Sequence, residues 1–546
     1  MQVFRDGPAP MISAVCRDIG LTRTIDRMVS WDEKQCTLSP GLRVEAMIIN
    51  ALTRRCPLYR MDRFFHDVDV AKLFGPAVTP HQLNDDAMGR ALDKVAEANA
   101  KEVYATVALQ AVCRENISLD ILHADTTSVS VQGSYQDNTA DDDVWLTYGH
   151  SKDKRPDLKQ FMYGLLVTSD RVPVGGEVLS GNTSDKTWNQ KMIKQLRERL
   201  GQTRGLVYVA DSSLVCSSNL KTLQEQDIHF ISRMPATFSL ADQLRDRAWE
   251  RDQWHELGTL SQRKGAATYR LQACEEVLQG ESYRFVVVHS SHLDGRKARS
   301  IERRLQRLEQ EGDKALRTLA TREFACEPDA HEAWRSFLTR HAPDFFDFTY
   351  TVQRHTRRKS RNSPGRPPKD FVPETETVFS LKPVRTRNEA AIEEWKARAS
   401  CFVLMTNLPR NERWTDEAIV REYKEQSVVE QHFAFIKNPK IVGPMYVKNP
   451  ARVQALAYVL LMAVLVYSIL ERRVRRALKE SGVPLEVYDR RTSLKPTGRS
   501  ILEHFMGVNV VLMDGKRLLP KNMGEMPRLL RLLGLSENIY LSWTPP

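Results

Sequence analysis

The chain has 546 residues, 41% of them hydrophobic, and 80 Lys and Arg against 69 Asp and Glu give a net charge of +11. That apolar content excludes a disordered chain, and the length asks for roughly two to four domains. The positive balance favours a polyanionic partner, nucleic acid or an anionic membrane surface, while eight scattered cysteines with no CxxC or Cx4C pair leave no visible zinc site or disulfide framework and suit a reducing compartment.

Residues 1–116 read as helical, with apolar periodicity in "MISAVCRDIGLTRTIDRMV", "PGLRVEAMIINALTRR" and "DAMGRALDKVAEANAKEVYATVALQAV". The opening "MQVFRDGPAPMISAV" carries charge and proline instead of a secretion signal. Gly20 before "LTRTIDRMV" resembles the break of a helix-turn-helix, a break that many helical bundles share.

The pattern then changes to strands. "ISLDILHAD" ends on Asp125, and "TTSVSVQG" continues as an antiparallel partner. "FMYGLLVTSD" and "VPVGGEVLSG" form a strand pair about a tight turn, and "DKTWNQKMIKQLRERL" an amphipathic helix. "GLVYVAD" is apolar throughout and ends on Asp211, as a strand buried on both faces does. A helix near 213–225 and the strand "IHFISRM" follow.

From 237 to 397 the character shifts to short strands, the charged helix "RKARSIERRLQRLEQ" and the basic run "RHTRRKSRNSPGRPPK", which reads as an inserted domain. "CFVLMTN" is a strand that leads into the helix "REYKEQSVVEQHFAFIK", residues 421–437. "VQALAYVLLMAVLVYSIL" (453–470) is as short as a membrane span can be, carries Gln454 and Ser468 and runs into "ERRVRRALKE"; it reads as a buried core helix. A small mixed region fills 481–546. The divisions are therefore 1–116, 117–236, 237–397, 398–480 and 481–546.

Two strands ending in aspartate place Asp125 and Asp211 at one sheet edge if they are parallel neighbours, where open α/β sheets put ligands. On the 421–437 helix, advancing 100° per residue from Tyr423 puts Gln426, Glu430 and Lys437 at about −60°, −20° and −40°, one polar stripe beside the apolar one, with Glu422 off it at about −100°. Three carboxylates brought together repel unless cations neutralise them, and oxygen-only clusters suit Mg²⁺ or Mn²⁺. Two such ions about 3.5–4 Å apart support phosphodiester cleavage.

The helix fits the pattern Y-x2-R-x3-E-x6-K at Tyr423, Glu430 and Lys437, with Gln426 in the Arg position. With the blocks "LHADTTSVSVQG", "YGHSKDKRPDLKQF" and "SGNTSDKT", it resembles the DDE transposases of bacterial insertion sequences. The resemblance implies an α/β, ribonuclease-H-like catalytic core with a helical N-terminal DNA-binding domain and an inserted mixed α/β domain. It implies Asp125, Asp211 and Glu430 as catalytic ligands of two Mg²⁺ or Mn²⁺ ions, with Tyr423 and Lys437 on DNA phosphates. Gln426 can donate hydrogen bonds to a phosphate but brings no charge. The partners implied are double-stranded DNA, as terminal inverted repeats and target, and a second copy of the chain in a homodimer on paired ends, in the bacterial cytoplasm with no membrane. Rival readings are a metal-dependent nuclease or resolvase on the same fold and a catalytically silent DNA-binding descendant.

Other residues carry weaker signals. Lys152, Lys154, Arg155 and Lys159 suit substrate DNA or a plain surface loop. Arg357, Arg358, Lys359 and Arg361 suit phosphate contacts, and Arg366 in "GRPPK" resembles half of a minor-groove hook. The aspartates of "DNTADDDVW" read as a turn. Trp188 reads as packing, with base stacking the alternative, and His123 as an interior histidine sharing a strand face with Asp125.

Overall fold

The computed structural model describes residues 1–133, 135, 144–201, 205–261, 265–341, 344–359, 372–437, 449–487 and 491–543. Two compact units emerge, one of Met1–Pro235, Val277–Tyr283 and Met405–Pro546, the other of Ala236–Glu276 and Arg284–Leu404.

The first unit is built on a mixed sheet of β2 (Ile121–Ser130), β3 (Gln160–Thr168), β4 (Pro173–Ser180), β5 (Val207–Ala210) and β6 (His229–Arg233), in the order β4-β3-β2-β5-β6. The first three strands pair antiparallel and the last three parallel. A turn at Ser169–Arg171 links β3 and β4, and Arg171 takes the left-handed φ of 69° that such a turn needs. The all-apolar "VYVA" of β5 is buried at every position, as its central place requires. Strand Cys401–Thr406 returns the chain, and its end is fastened to β6: Thr406 Oγ1 donates to the Phe230 carbonyl, and the Asn407 side chain accepts from Phe230 N at 2.9 Å. With helices on its flanks and an N-terminal helical region, this is the ribonuclease-H-like α/β arrangement.

One expectation changes here. "ILHADTTSVS" is a single ten-residue strand, not two, because β3 pairs along its whole length, from Leu122↔Thr168 to Ser130↔Gln160. Asp125 therefore lies mid-strand, at the point where the parallel pairing with β5 stops.

The apolar segment 453–470 lies in the helix Pro450–Ser481, which packs on helices Pro40–Leu52, Asp85–Glu97 and Ala100–Glu115 and on β4. Its length and hydropathy would suit a bilayer, yet most of the apolar stretch is buried against protein. Tyrosines satisfy the polar atoms at the contact: Tyr163 donates to the Ala457 carbonyl at 3.0 Å, and the Tyr458 hydroxyl accepts from Val178 N at 3.1 Å. The "ERRVRR" end is neutralised rather than solvated, since Arg472 and Arg473 pair with Glu115 and Arg473 also with Asp18. Gly20, with a φ of 74°, joins helices Ala9–Asp18 and Leu21–Met28, so the expected break exists. The extreme N-terminus adds a strand that the periodicity did not show: β1 (Gln2–Phe4) pairs antiparallel with Val510–Met513.

Trp188 is no stacking platform. It is 1% exposed and covers Gly164 of β3, where an added Cβ would stand 2.2 Å from the indole.

In the second unit the strands Phe346–Arg358 and Thr375–Arg387 form a hairpin in register from Phe346↔Arg387 to Arg358↔Thr375. Helices Gly295–Ala320, Glu327–His341 and Glu389–Ala399 complete two small apolar clusters, one around Trp334, Phe337 and Leu381, the other around Leu305, Phe346 and Ile392.

Candidate active site

Asp125 and Asp211 come together by register. Ala124 faces Ala210 across the parallel β2–β5 pair, so the next residue on each chain is an aspartate at the same level. Asp211 then turns the chain: its carboxylate accepts from Ser213 N at 3.0 Å and Ser213 Oγ at 2.6 Å and caps a short 3₁₀ turn. Ser232 Oγ of β6 donates to the Asp211 carbonyl at 2.7 Å, which holds the strand end in place.

The Asp125 side chain is 21% exposed. Burial pushes its carboxyl up to about 7, the Asp211 and Asp185 charges push the same way, and the Lys152 ammonium and the Thr126 N–H oppose them. Lys152 Nζ stands 4.0 Å from Asp125 Oδ1 and 3.1 Å from Asp185 Oδ2, and donates to the Thr126 carbonyl at 2.7 Å. Thr126 Oγ1 is also hydrogen-bonded to Asp185. One lysine thus serves two carboxylates.

The expected helix 421–437 is two helices, Asp416–Glu425 and Ser427–Ile436, joined at Gln426. The joint keeps right-handed dihedrals but is tightened: Gln426 N bonds to the Tyr423 carbonyl and Val429 N to the Gln426 carbonyl, both three residues back. Such 3₁₀ steps turn the chain about 120° per residue instead of 100°, so residues beyond the joint leave the angles of a uniform helical wheel. Glu422 lies before the joint and, although expected off the polar stripe, it bonds to the sheet: its Oε1 lies 2.8 Å from Nε2 of His123 on β2, one turn before Gln426, whose Nε2 reaches the Ala124 carbonyl at 3.4 Å.

Glu430 follows one turn further on, exposed, on a helix that packs against β2 and β3. Tyr423 lies among all three acids. Burial pushes its hydroxyl up to about 12, with Asp211, Asp125 and Glu430 adding to the rise and Arg233 opposing it. Lys437 ends the helix with Nζ 2.6 Å from Asp153 Oδ1, which ties it to the loop of Lys152.

The remaining cations of that loop are engaged locally or exposed. Arg155 is paired with Asp157, Lys159 donates to the Tyr135 carbonyl, and Lys154 is exposed. In the second unit Arg357 is held by Glu323 and Glu376 and Lys359 by Glu374, while Arg358 is exposed at the hairpin end. Arg361, Arg366 and most of "DNTADDDVW" lie outside the described residues.

Two features escaped the sequence reading. Asp185 stands in the quoted block "SGNTSDKT" and opens helix Asp185–Leu200, but nothing in that block marked it as a further charge beside Asp125. The His123–Glu422 pair spans 299 residues, and no local pattern announces it.

Asp125, Asp211 and Glu430 offer oxygen donors only, and the first two already burden each other with unbalanced charge, so the donor set fits a hard divalent cation. Among the described residues no three His, Cys, Asp or Glu side chains are gathered closely enough to chelate an ion as they stand.

Residues 118–466 match the family described as transposase DDE domain, and residues 8–109 a family described as a domain of unknown function, DUF4277. No curated protein matches the chain. Because the first match spans well over half of its length and includes Asp125, Asp211 and Glu430, the chain belongs to the transposase DDE domain family.

Proposed function

We propose that this transposase cleaves DNA at the ends of a mobile element and joins them to target DNA, with Asp125, Asp211 and Glu430 as the ligands of two Mg²⁺ or Mn²⁺ ions. The observation that carries the reading is the register that sets Asp125 beside Asp211 in a half-buried place where the Asp125 carboxyl is pushed up to about 7. A carboxylate desolvated next to another is costly unless a cation joins it. Bound there, divalent ions activate the attacking hydroxyl and stabilise the leaving oxygen.

The chain's own residues do the rest. Asp125 and Asp211 fix the cation end of the sheet, and Glu430 closes it from the helix. Tyr423, kept protonated by burial, donates its hydroxyl to a phosphate oxygen, as do Gln426 and Lys437. Lys152 supplies a second positive charge beside the scissile strand, with Lys154 nearby on the same loop. Strand transfer exchanges one phosphodiester for another, and joining two element ends calls for two copies of the chain on paired DNA.

The test is a cleavage and strand-transfer assay on duplexes carrying the element's terminal repeats, with Mg²⁺. Glu430→Gln keeps the side chain's shape and removes its charge, so products should disappear while DNA binding persists. Cleavage by Glu430→Gln at the parental rate would refute the triad, and cleavage without joining would favour a nuclease.

A further inference from the structure

Glu422, Gln426 and Glu430 are spaced i, i+4, i+8, and the first two are bonded to consecutive residues of β2, His123 and Ala124, immediately before Asp125. His123 is 1% exposed and the Glu422 side chain 18%. An ionised carboxylate can only accept, so His123 Nε2 carries the proton of this bond. Its other nitrogen, Nδ1, is buried with no hydrogen-bond partner among the described residues. A buried imidazole with a single partner has its orientation set by that partner.

The pair also sits at a mechanical joint. The 3₁₀ step at Gln426 separates the helix that holds Glu422 and Tyr423 from the helix that holds Glu430. No regular i to i−4 ladder runs through it, so anchors on the turn before the step join the packing of the Glu430 helix on β2 and β3 in setting its direction. Those anchors are Glu422 on His123 and, one turn on, Gln426 on the Ala124 carbonyl.

We infer that Glu422 and His123 are positioning residues: their hydrogen bond hangs the helix pair from β2 and so fixes how far Glu430 stands from Asp125. The inference rests on the metal site proposed above, and it assigns the bond, not the charge of Glu422, as the working part.

The experiment measures Mn²⁺ binding to the purified full chain by electron paramagnetic resonance of the free ion, beside metal-free melting curves. The parent should bind Mn²⁺, and Glu430→Gln should lose it. Glu422→Ala should remain folded but raise the Mn²⁺ dissociation constant at least about tenfold, the usual effect of losing an outer support of a ligand. Glu422→Gln, whose amide oxygen still accepts from Nε2, should stay within about twofold of the parent. If Glu422→Ala fails to fold, Gln426→Ala takes its place, with a smaller rise of about threefold for its longer bond. Parental Mn²⁺ affinity in the folded Glu422→Ala protein would overturn the inference, as would a Glu422→Gln protein as impaired as Glu422→Ala. A parent that binds no Mn²⁺ would instead sink the carboxylate site itself, and this inference with it.

Discussion

The acid edge of the sheet and the basic hairpin of the second unit handle charge in opposite ways. At the sheet, Asp125, Asp211 and Asp185 crowd together with one ammonium, Lys152, divided between two of them, and burial, with the other two acids adding to it, raises the Asp125 carboxyl. At the hairpin, part of a run that is strongly basic in sequence is matched by its neighbours: among the described residues Arg357 has two glutamates and Lys359 one. Linear charge therefore misleads in both directions. What matters is which charges folding leaves crowded and partly buried, and at the sheet those are acidic.

The comparison is broken most severely by removing the imbalance. Asp125→Asn or Glu430→Gln should lower cleavage on the order of 10³-fold or more with DNA affinity little changed, because each change removes one of the carboxylates proposed to hold the cations. Product formation against substrate concentration checks both halves of that statement.

A tenfold effect is expected at the hairpin. Arg354 and Arg358 are exposed there, and neutralising the two together should weaken DNA binding about tenfold and flatten its salt dependence by roughly one to two counterions. Neutralising Arg357 and Lys359 should do less, since their glutamates already hold them. An equal loss of slope would mean that those ion pairs open on DNA, and the contrast drawn above would fall.

Stability against pH sharpens the same point. The Asp125 carboxyl rises from its usual 3.8 to about 7 in the folded chain, so the fold favours the protonated form. That stabilisation is complete below about pH 4 and is lost as the pH climbs through about 7. The metal-free melting temperature should therefore fall between pH 5 and 8, Asp125→Asn should flatten the decline, and Mg²⁺ should reverse it at pH 8. The smallest effect belongs to Glu376→Gln, which removes one partner of an exposed arginine and should leave the melting temperature nearly unchanged.

Much of the architecture could be read in the sequence where one local rule dominates. The apolar run before Asp211, the strand pair about the Arg171 turn and the amphipathic helix after Ser184 each depend on near neighbours, and each element forms as expected. Asp125 was found but misplaced, because β3 extends β2 beyond the point where its turn-forming aspartate suggested an end. The roles of Asp185 and Glu422 were not legible. Both depend on residues brought from other elements, Lys152 and Thr126 to the first and His123 to the second. The break at Gln426 was not legible either: the sequence reads as one helix from 421 to 437, and the tightened step shows only in the backbone bonds.

The pairing of Gln2–Phe4 with Val510–Met513, backed by the Tyr540 hydroxyl donating to the Gly7 carbonyl at 2.7 Å, sets a clock on the chain's birth. Domains usually fold from the N-terminus as they leave the ribosome, at about 5–20 residues per second. Here Gln2–Phe4 find their partners only after some five hundred further residues have been made. That strand must wait, or hold an interim arrangement, until residues 510–513 have been made, so that a translation product interrupted before them keeps it unpaired.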